Sequence, residues 1–173
     1  LPGRLTRPTS GKVREAVFNI LAGEVAGARV ADLFAGTGAM GIEALSRGAQ
    51  HAVFIEADRR AVEAIKKNLS ACRARDRAAI FCRDLRADLS FLKQIGRRFD
   101  MVFMDPPYNT GALSPALANL AASGTLAPGA LVIIEHARSD PLPEEPGLFA
   151  VSDQRRYGKT LVSFLQYMVA SRE

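Results

Sequence analysis

Arg29-Val-Ala-Asp-Leu-Phe-Ala-Gly-Thr-Gly-Ala-Met-Gly41 sets the architecture of this chain. Arg29 to Phe34 is strand-like. Gly36-Thr-Gly38-Ala-Met-Gly41 follows and matches the pattern G-x-G-x-x-G, and Met40 to Arg47 reads as a helix. Strand, glycine turn and helix in that order open a nucleotide-binding α/β unit. Glycines let a backbone approach a ligand without a Cβ clash. Glu56 lies twenty residues after Gly36, at the end of the next strand. A carboxylate there accepts two charge-assisted hydrogen bonds from a ribose diol. A glycine-rich turn with no ligand is the competing reading, and the complete strand–loop–helix–acid context argues against it.

The alternation continues outward. Ala52 to Glu56 is a strand, Arg59 to Cys72 a helix, Ala79 to Arg83 a strand and Asp88 to Ile95 a short helix. Met101 to Met104 is a strand, Leu113 to Ala122 a helix and Leu131 to Glu135 a fifth strand. Strands spaced by helices predict a parallel sheet covered on both faces. The tail changes character. Phe149 to Ser152 and Thr160 to Met168 are strand-like, with Gln154 to Gly158 between them and no helix. An antiparallel hairpin closing the sheet is expected, with the apolar second strand inside it. Ahead of the sheet, residues 9–21 form an amphipathic helix. Val13, Val17, Ile20 and Leu21 share one stripe, and Thr9 or Ser10 is placed to cap its start.

The chain has 173 residues, which predicts one domain with an N-terminal segment (1–24) and a core (25–173). No apolar run reaches the length of a membrane span. No secretory leader is read and a cytoplasmic protein is expected, while Leu1 in place of Met implies a native beginning upstream. Cys72 and Cys82 form neither a metal pattern nor a disulfide framework and are expected to be small, buried or half-buried residues. His51 and His136 lack companions and are read as structural or surface residues, and no metal is expected. Net charge is +5, but residues 59–98 carry 12 basic and 4 acidic groups, and residues 99–153 carry 1 and 7. A basic middle suits a polyanion such as nucleic acid. It equally suits the wet face of a helix, bearing Arg59, Arg60, Lys66, Lys67 and Arg73.

The glycine loop and Glu56 permit a nicotinamide dinucleotide or S-adenosylmethionine, because both carry the same ribose. Asp32 sits inside the first strand near its loop end. A carboxylate there suits the ammonium group of a methionine moiety and would repel a pyrophosphate. Asp84 ends the third strand, where its side chain can accept from an adenine amino group or serve as a surface acid.

The second decisive motif is Asp105-Pro-Pro-Tyr108, directly after the strand Met101 to Met104. The amino group of a base is a poor nucleophile, since its lone pair is delocalised into the ring. Two acceptors facing its N–H bonds favour a pyramidal nitrogen and expose that pair. The Asp105 carboxylate is one acceptor. The Pro106 carbonyl is the second, held by prolines that fix φ. Tyr108 supplies a stacking face. Methyl transfer to a base amine would then rest on positioning and electrostatics.

Five segments carry a family likeness: residues 7–21, 32–48, 54–58, 81–92 and 103–108. Together they resemble the RsmD family, bacterial 16S rRNA guanine-N2 methyltransferases. The resemblance implies a seven-stranded, Rossmann-like class I methyltransferase fold and S-adenosylmethionine as donor. It implies a guanine of 16S rRNA in a small-subunit ribosomal particle as target, and a monomer without an obligatory protein partner. It places Gly36 and Gly38 against the cofactor, Glu56 at its ribose and Asp84, with Leu85, by its adenine. Asp105, Pro106, Pro107 and Tyr108 become the target-amine and stacking set. Arg7, Pro8 and Thr9 are expected to close over the cofactor or meet RNA. The chain departs from the pattern in two places. A basic strand pair usually precedes the Arg-Pro-Thr segment, and Gly11 stands where Asp is common.

Three other readings remain open. A DNA adenine-N6 methyltransferase uses the same Asp-Pro-Pro-Tyr chemistry, but usually needs an added recognition region and a flipped base. A nicotinamide-dependent oxidoreductase gives Tyr108 no role. A non-catalytic RNA-binding module would tolerate loss of Asp105.

Overall fold

The computed structural model describes residues 11–86, 89–96, 98–143 and 147–168. Its strands are β1 (Arg29–Leu33), β2 (His51–Glu56), β3 (Ala78–Cys82), β4 (Phe99–Met104), β5 (Leu126–Ala137), β6 (Phe149–Tyr157) and β7 (Thr160–Tyr167). Helices α1 (Gly11–Ile20), α2 (Ala39–Ser46), α3 (Arg59–Ala71) and α4 (Leu113–Ala122) connect or flank them. Ser90–Ile95 forms a 3-10 turn where a short helix from Asp88 is expected, and Asp88 lies outside the described residues.

The strands form one seven-stranded sheet in the order β3-β2-β1-β4-β5-β7-β6. The pairs β1–β2, β1–β4, β2–β3 and β4–β5 are parallel, while β7 runs antiparallel to both β5 and β6. The expected class is therefore observed: a mostly parallel Rossmann-like sheet with a closing hairpin and helices on both faces. Chain order reverses at β1, which lies between β2 and β4. Open α/β sheets bind ligands in the crevice at such a switch, beyond the strands' carboxyl ends.

Alternate residues of each central strand feed two separate cores, as the two-residue pleat requires. Val30, Phe54, Met101, Phe103 and Ile133 face α1, α2 and α3. Leu33, Ile55, Val102, Met104 and Ile134 face α4 and the 3-10 turn. Val13, Val17 and Phe18 of α1 are buried, and the Phe18 ring lies 5.3 Å from that of Phe103. The capping residues Thr9 and Ser10, and with them Arg7 and Pro8, lie outside the described residues. Asp58 caps α3 instead of any hydroxyl, its side chain accepting the Arg60 N–H at 2.8 Å. Val62, Ile65 and Leu69 of α3 are buried, while Arg59, Arg60 and Lys67 are exposed.

Three departures from the sequence reading have local causes. β5 begins at Leu126 and not Leu131, running through Pro128-Gly129. The register shift between Phe99 and Met101 absorbs the residues that would otherwise read as a turn. β6 continues to Tyr157 through Asp153, Gln154, Arg155 and Arg156, mostly exposed. It is the sheet's edge, and charged residues there deter pairing with other chains. Cys72 and Cys82 are both exposed free thiols, not buried ones. Cys72 follows the last turn of α3 and Cys82 ends the outer strand β3, so neither position reaches a core. Among the described residues, no helix is long and apolar enough to cross a membrane.

Candidate active site

The two sequence motifs meet at the switch point. The glycine loop leaves β1 and Asp105-Pro-Pro-Tyr108 leaves β4, its hydrogen-bonded neighbour. Asp32 pairs with Phe103 across these strands, and Met104 pairs with Ile134 of β5. One residue farther on, Asp105 and Glu135 stand side by side. The pleat turns both toward the face that carries Phe103 and Ile133. Asp32, Asp105 and Glu135 consequently line one small cavity, with Val17, Met40 and Val162 among its walls.

The loop itself is held by side chains around it. Phe34 takes a left-handed φ of 58°, which turns the chain out of β1. Glu56 then grips the turn from β2, with Oε2 accepting the Gly36 N–H at 2.8 Å and Oε1 the Asp58 N–H at 2.9 Å. Asn68 of α3 donates to the Thr37 carbonyl at 3.0 Å. The glycines differ in purpose. Gly36 has φ 55°, and a Cβ on it would meet nothing within 4 Å, so open space lies over the loop. Gly38 has φ 80°, and its Cβ would press to 3.2 Å from Phe54 and 3.3 Å from Ile65. A Cβ on Gly41 would fall 2.4 Å from the Phe54 ring. Gly38 and Gly41 thus let the helix settle onto β2, and only Gly36 leaves room on the ligand side.

Asp32 is buried, and its Oδ2 accepts the Gly41 N–H at 2.8 Å. Burial pushes its carboxyl up from 3.8 to about 7; the Gly41 bond lowers it, and the negative charge of Glu56 raises it further. A cationic ligand group in the cavity would favour the ionised form.

Asp84 lies where the sequence places it, after β3, but its carboxylate is already engaged. Arg86 forks onto it, with Nη2 2.7 Å from Oδ2, and the Arg86 N–H adds a bond of 3.0 Å to Oδ1. The Arg86 side-chain bond, followed by its backbone bond, holds this half-exposed acid down at about 2. Asp84 can accept from an amino group only beside, or after release from, that fork. The Leu85 side chain is buried with Leu89 and Leu92, so only its backbone can face a ligand.

Asp105 continues the β4 ladder, its N–H reaching the Leu33 carbonyl at 3.4 Å. Pro106 is buried and Pro107 exposed. The Pro107 carbonyl is taken by the Thr110 hydroxyl at 2.7 Å. The Tyr108 hydroxyl donates to Oε1 of Glu135 at 3.0 Å and lies 3.5 Å from Oγ1 of Thr160. Burial raises the phenol well above the ordinary tyrosine range, and the Glu135 and Asp105 charges add to this, so it remains a donor. Next to it, Asn109 holds a left-handed φ of 55°. Its N–H donates to Asp140 at 3.2 Å, and Ser139 donates to its side-chain oxygen at 3.0 Å.

Several of these partners escape the sequence reading. Glu135 carries a signal: it is the lone carboxylate closing an otherwise apolar strand, Leu131-Val-Ile-Ile-Glu135. His136 proves to be structural and buried. Its Nδ1 lies 2.9 Å from the Asp140 carbonyl, so it donates there, and Nε2 accepts from the Ser163 hydroxyl at 2.9 Å. That bond ties the loop carrying Asp140 to the hairpin.

The residues fit S-adenosylmethionine. Its ribose diol needs an acceptor at Glu56, whose oxygens each retain a lone pair. Its ammonium group matches the buried Asp32 carboxylate at one side of the acid-lined cavity. The same acids would oppose a pyrophosphate.

Residues 1–166 match the family model described as Conserved hypothetical protein 95. YlbH of Bacillus subtilis (strain 168) is 35% identical over 161 residues, covering 93% of this chain and 88% of its own. Ribosomal RNA small subunit methyltransferase D of Escherichia coli (strain K12) is 36% identical over 160 residues, 92% of this chain and 79% of its own. The solved structure of yhhF from Escherichia coli has a TM-score of 0.82 at 36% identity, covering 94% of this chain and 87% of its own.

Proposed function

Because this chain belongs to the Conserved hypothetical protein 95 family, the RsmD family of the sequence reading, we propose that it methylates the exocyclic N2 amine of a guanine in 16S rRNA. It is an S-adenosylmethionine-dependent rRNA methyltransferase. The observation that carries the finer reading is the shared cavity of Asp32 and Asp105, where the cofactor loop and the amine motif become one site.

S-adenosylmethionine, when bound, supplies a methyl group on a sulfonium. The chain's own residues do the rest. Glu56 accepts from the ribose hydroxyls while it keeps the loop closed. Asp32, ionised, faces the ammonium. Asp105 accepts one N–H of the target amine and the Pro106 carbonyl accepts the other, which localises the nitrogen lone pair toward the donor. Tyr108, anchored through its hydroxyl, offers its ring to the base. Positioning of this kind accounts for most of the rate when the nucleophile is weak but neutral. The target is a guanine in a single-stranded or splayed segment of a small-subunit particle, where the base is presented without breaking a duplex. The protein acts as a cytoplasmic monomer.

Mass spectrometry of nuclease-digested 16S rRNA from cells lacking this protein tests the reading. One N2-methylguanosine should vanish and return when the full-length gene is restored. An unaltered set of 16S methylguanosines would overturn it.

A further inference from the structure

Glu135 is the one acid of the cavity that the mechanism above leaves without a part. We infer that it reads the guanine: its carboxylate accepts the N1–H of the target base while Asp105 accepts the neighbouring N2–H. The inference rests on the guanine-amine reading of the same site.

Three observations place it there. The register that pairs Met104 with Ile134 brings Asp105, just past the end of β4, close to Glu135 of β5, and both face the same cavity. Adjacent strands lie roughly 4.8 Å apart, a span that two acceptors facing neighbouring donors of one base edge can cover. Glu135 is also fixed in direction, because Oε1 holds the Tyr108 hydroxyl at 3.0 Å. Oε2 takes no other hydrogen bond among the described residues. Tyr108 is therefore more than a stacking surface. Its hydroxyl pins the carboxylate beside which its ring would receive the base.

The chemistry selects guanine. Its Watson–Crick edge offers N1–H and N2–H donors side by side, and a pair of carboxylates offers only acceptors. Adenine presents an N1 lone pair at the corresponding place, which a carboxylate repels. Cytosine likewise has an unprotonated ring nitrogen beside its amine. An acceptor left facing a lone pair loses its bond and suffers repulsion, the kind of mismatch that discriminates strongly. Asp105 alone serves any amino base. Asp105 with Glu135 serves guanine.

The test uses small-subunit particles reconstituted on 16S rRNA ligated to carry either guanosine or 2-aminopurine riboside at the methylated position. 2-Aminopurine keeps the N2 amine but has a lone pair at N1. Single-turnover methyl transfer is measured for the wild type, Glu135→Gln and Tyr108→Phe, with calorimetry of S-adenosylmethionine as a check on the fold. The wild type should prefer guanosine by about 10- to 100-fold, the range of one good base-edge contact. Glu135→Gln can donate as well as accept, so its preference should fall to within about threefold with cofactor affinity unchanged. Tyr108→Phe keeps the stacking ring but releases the Glu135 carboxylate, so its preference for guanosine should also fall, though less far than that of Glu135→Gln. An undiminished preference in Glu135→Gln, or a wild type indifferent to the two bases, overturns the inference. Failure of the wild type to methylate guanosine in these particles would instead overturn the proposed function.

Discussion

Oε2 of Glu56 accepts the Gly36 N–H at 2.8 Å, so the acid that ends β2 also fastens the loop that ends β1. The same carboxylate is placed for the cofactor ribose. Glu56→Ala should weaken S-adenosylmethionine binding about tenfold or more, since hydrogen bonds to a charged group contribute roughly 1.5–3 kcal/mol. Isothermal calorimetry measures this directly, and equal affinities would remove Glu56 from the site.

Asp32 predicts a pH dependence. Its folded carboxyl, near 7, lies above the ordinary 3.8 because the group is buried. Such a group favours the folded state while protonated; that contribution is full below about pH 3.8 and is lost as pH rises through about 7. Asp32→Asn should therefore melt higher than the wild type at pH 8, with the advantage shrinking toward pH 4. Binding of the cationic cofactor reverses the preference. Wild-type affinity should climb between pH 5 and 7 and level off above about 7, while Asp32→Asn binds weakly across the range. A flat wild-type profile over that interval would contradict the ammonium contact.

Two glycines separate packing from helix chemistry. A Cβ on Gly41 would sit 2.4 Å from the Phe54 ring, and Phe54 is fully buried. Gly41→Ala should cost about 1–3 kcal/mol, as overpacked cores do. Gly11 begins α1, where a Cβ meets nothing within 4 Å and the first turn carries no acid. Gly11→Asp should stabilise by about 0.3–1 kcal/mol, through the helix dipole together with the loss of glycine's backbone freedom. Urea denaturation of both variants decides the pair of expectations.

Elements built from internal apolar runs are legible in the sequence: β1, β2, β4, α3 and α4 appear within a residue or two of their expected bounds. Asp105, Glu56 and Asp32 announce themselves by their places at strand ends. What is hidden has physical causes. The second half of β6 is polar because it is an edge, and hydrophobicity cannot mark it. The front of β5 is disguised by Pro128-Gly129, which a bulge accommodates. Glu135 becomes visible as a site residue only once the register lays β5 beside β4, a long-range fact that no local pattern contains. The Arg86 fork on Asp84 is equally unreadable, since it depends on the turn after β3.

Asp105 holds the target amine and contributes little to binding of the methyl donor. Transfer of a tritiated methyl group to small-subunit particles lacking the modification, measured for the wild type and Asp105→Ala beside calorimetric cofactor affinity, tests it most directly. Affinity should stay within about twofold while transfer slows by about 100- to 1,000-fold, the usual cost of removing one preorganised polar partner. A transfer rate equal to the wild type's would contradict it.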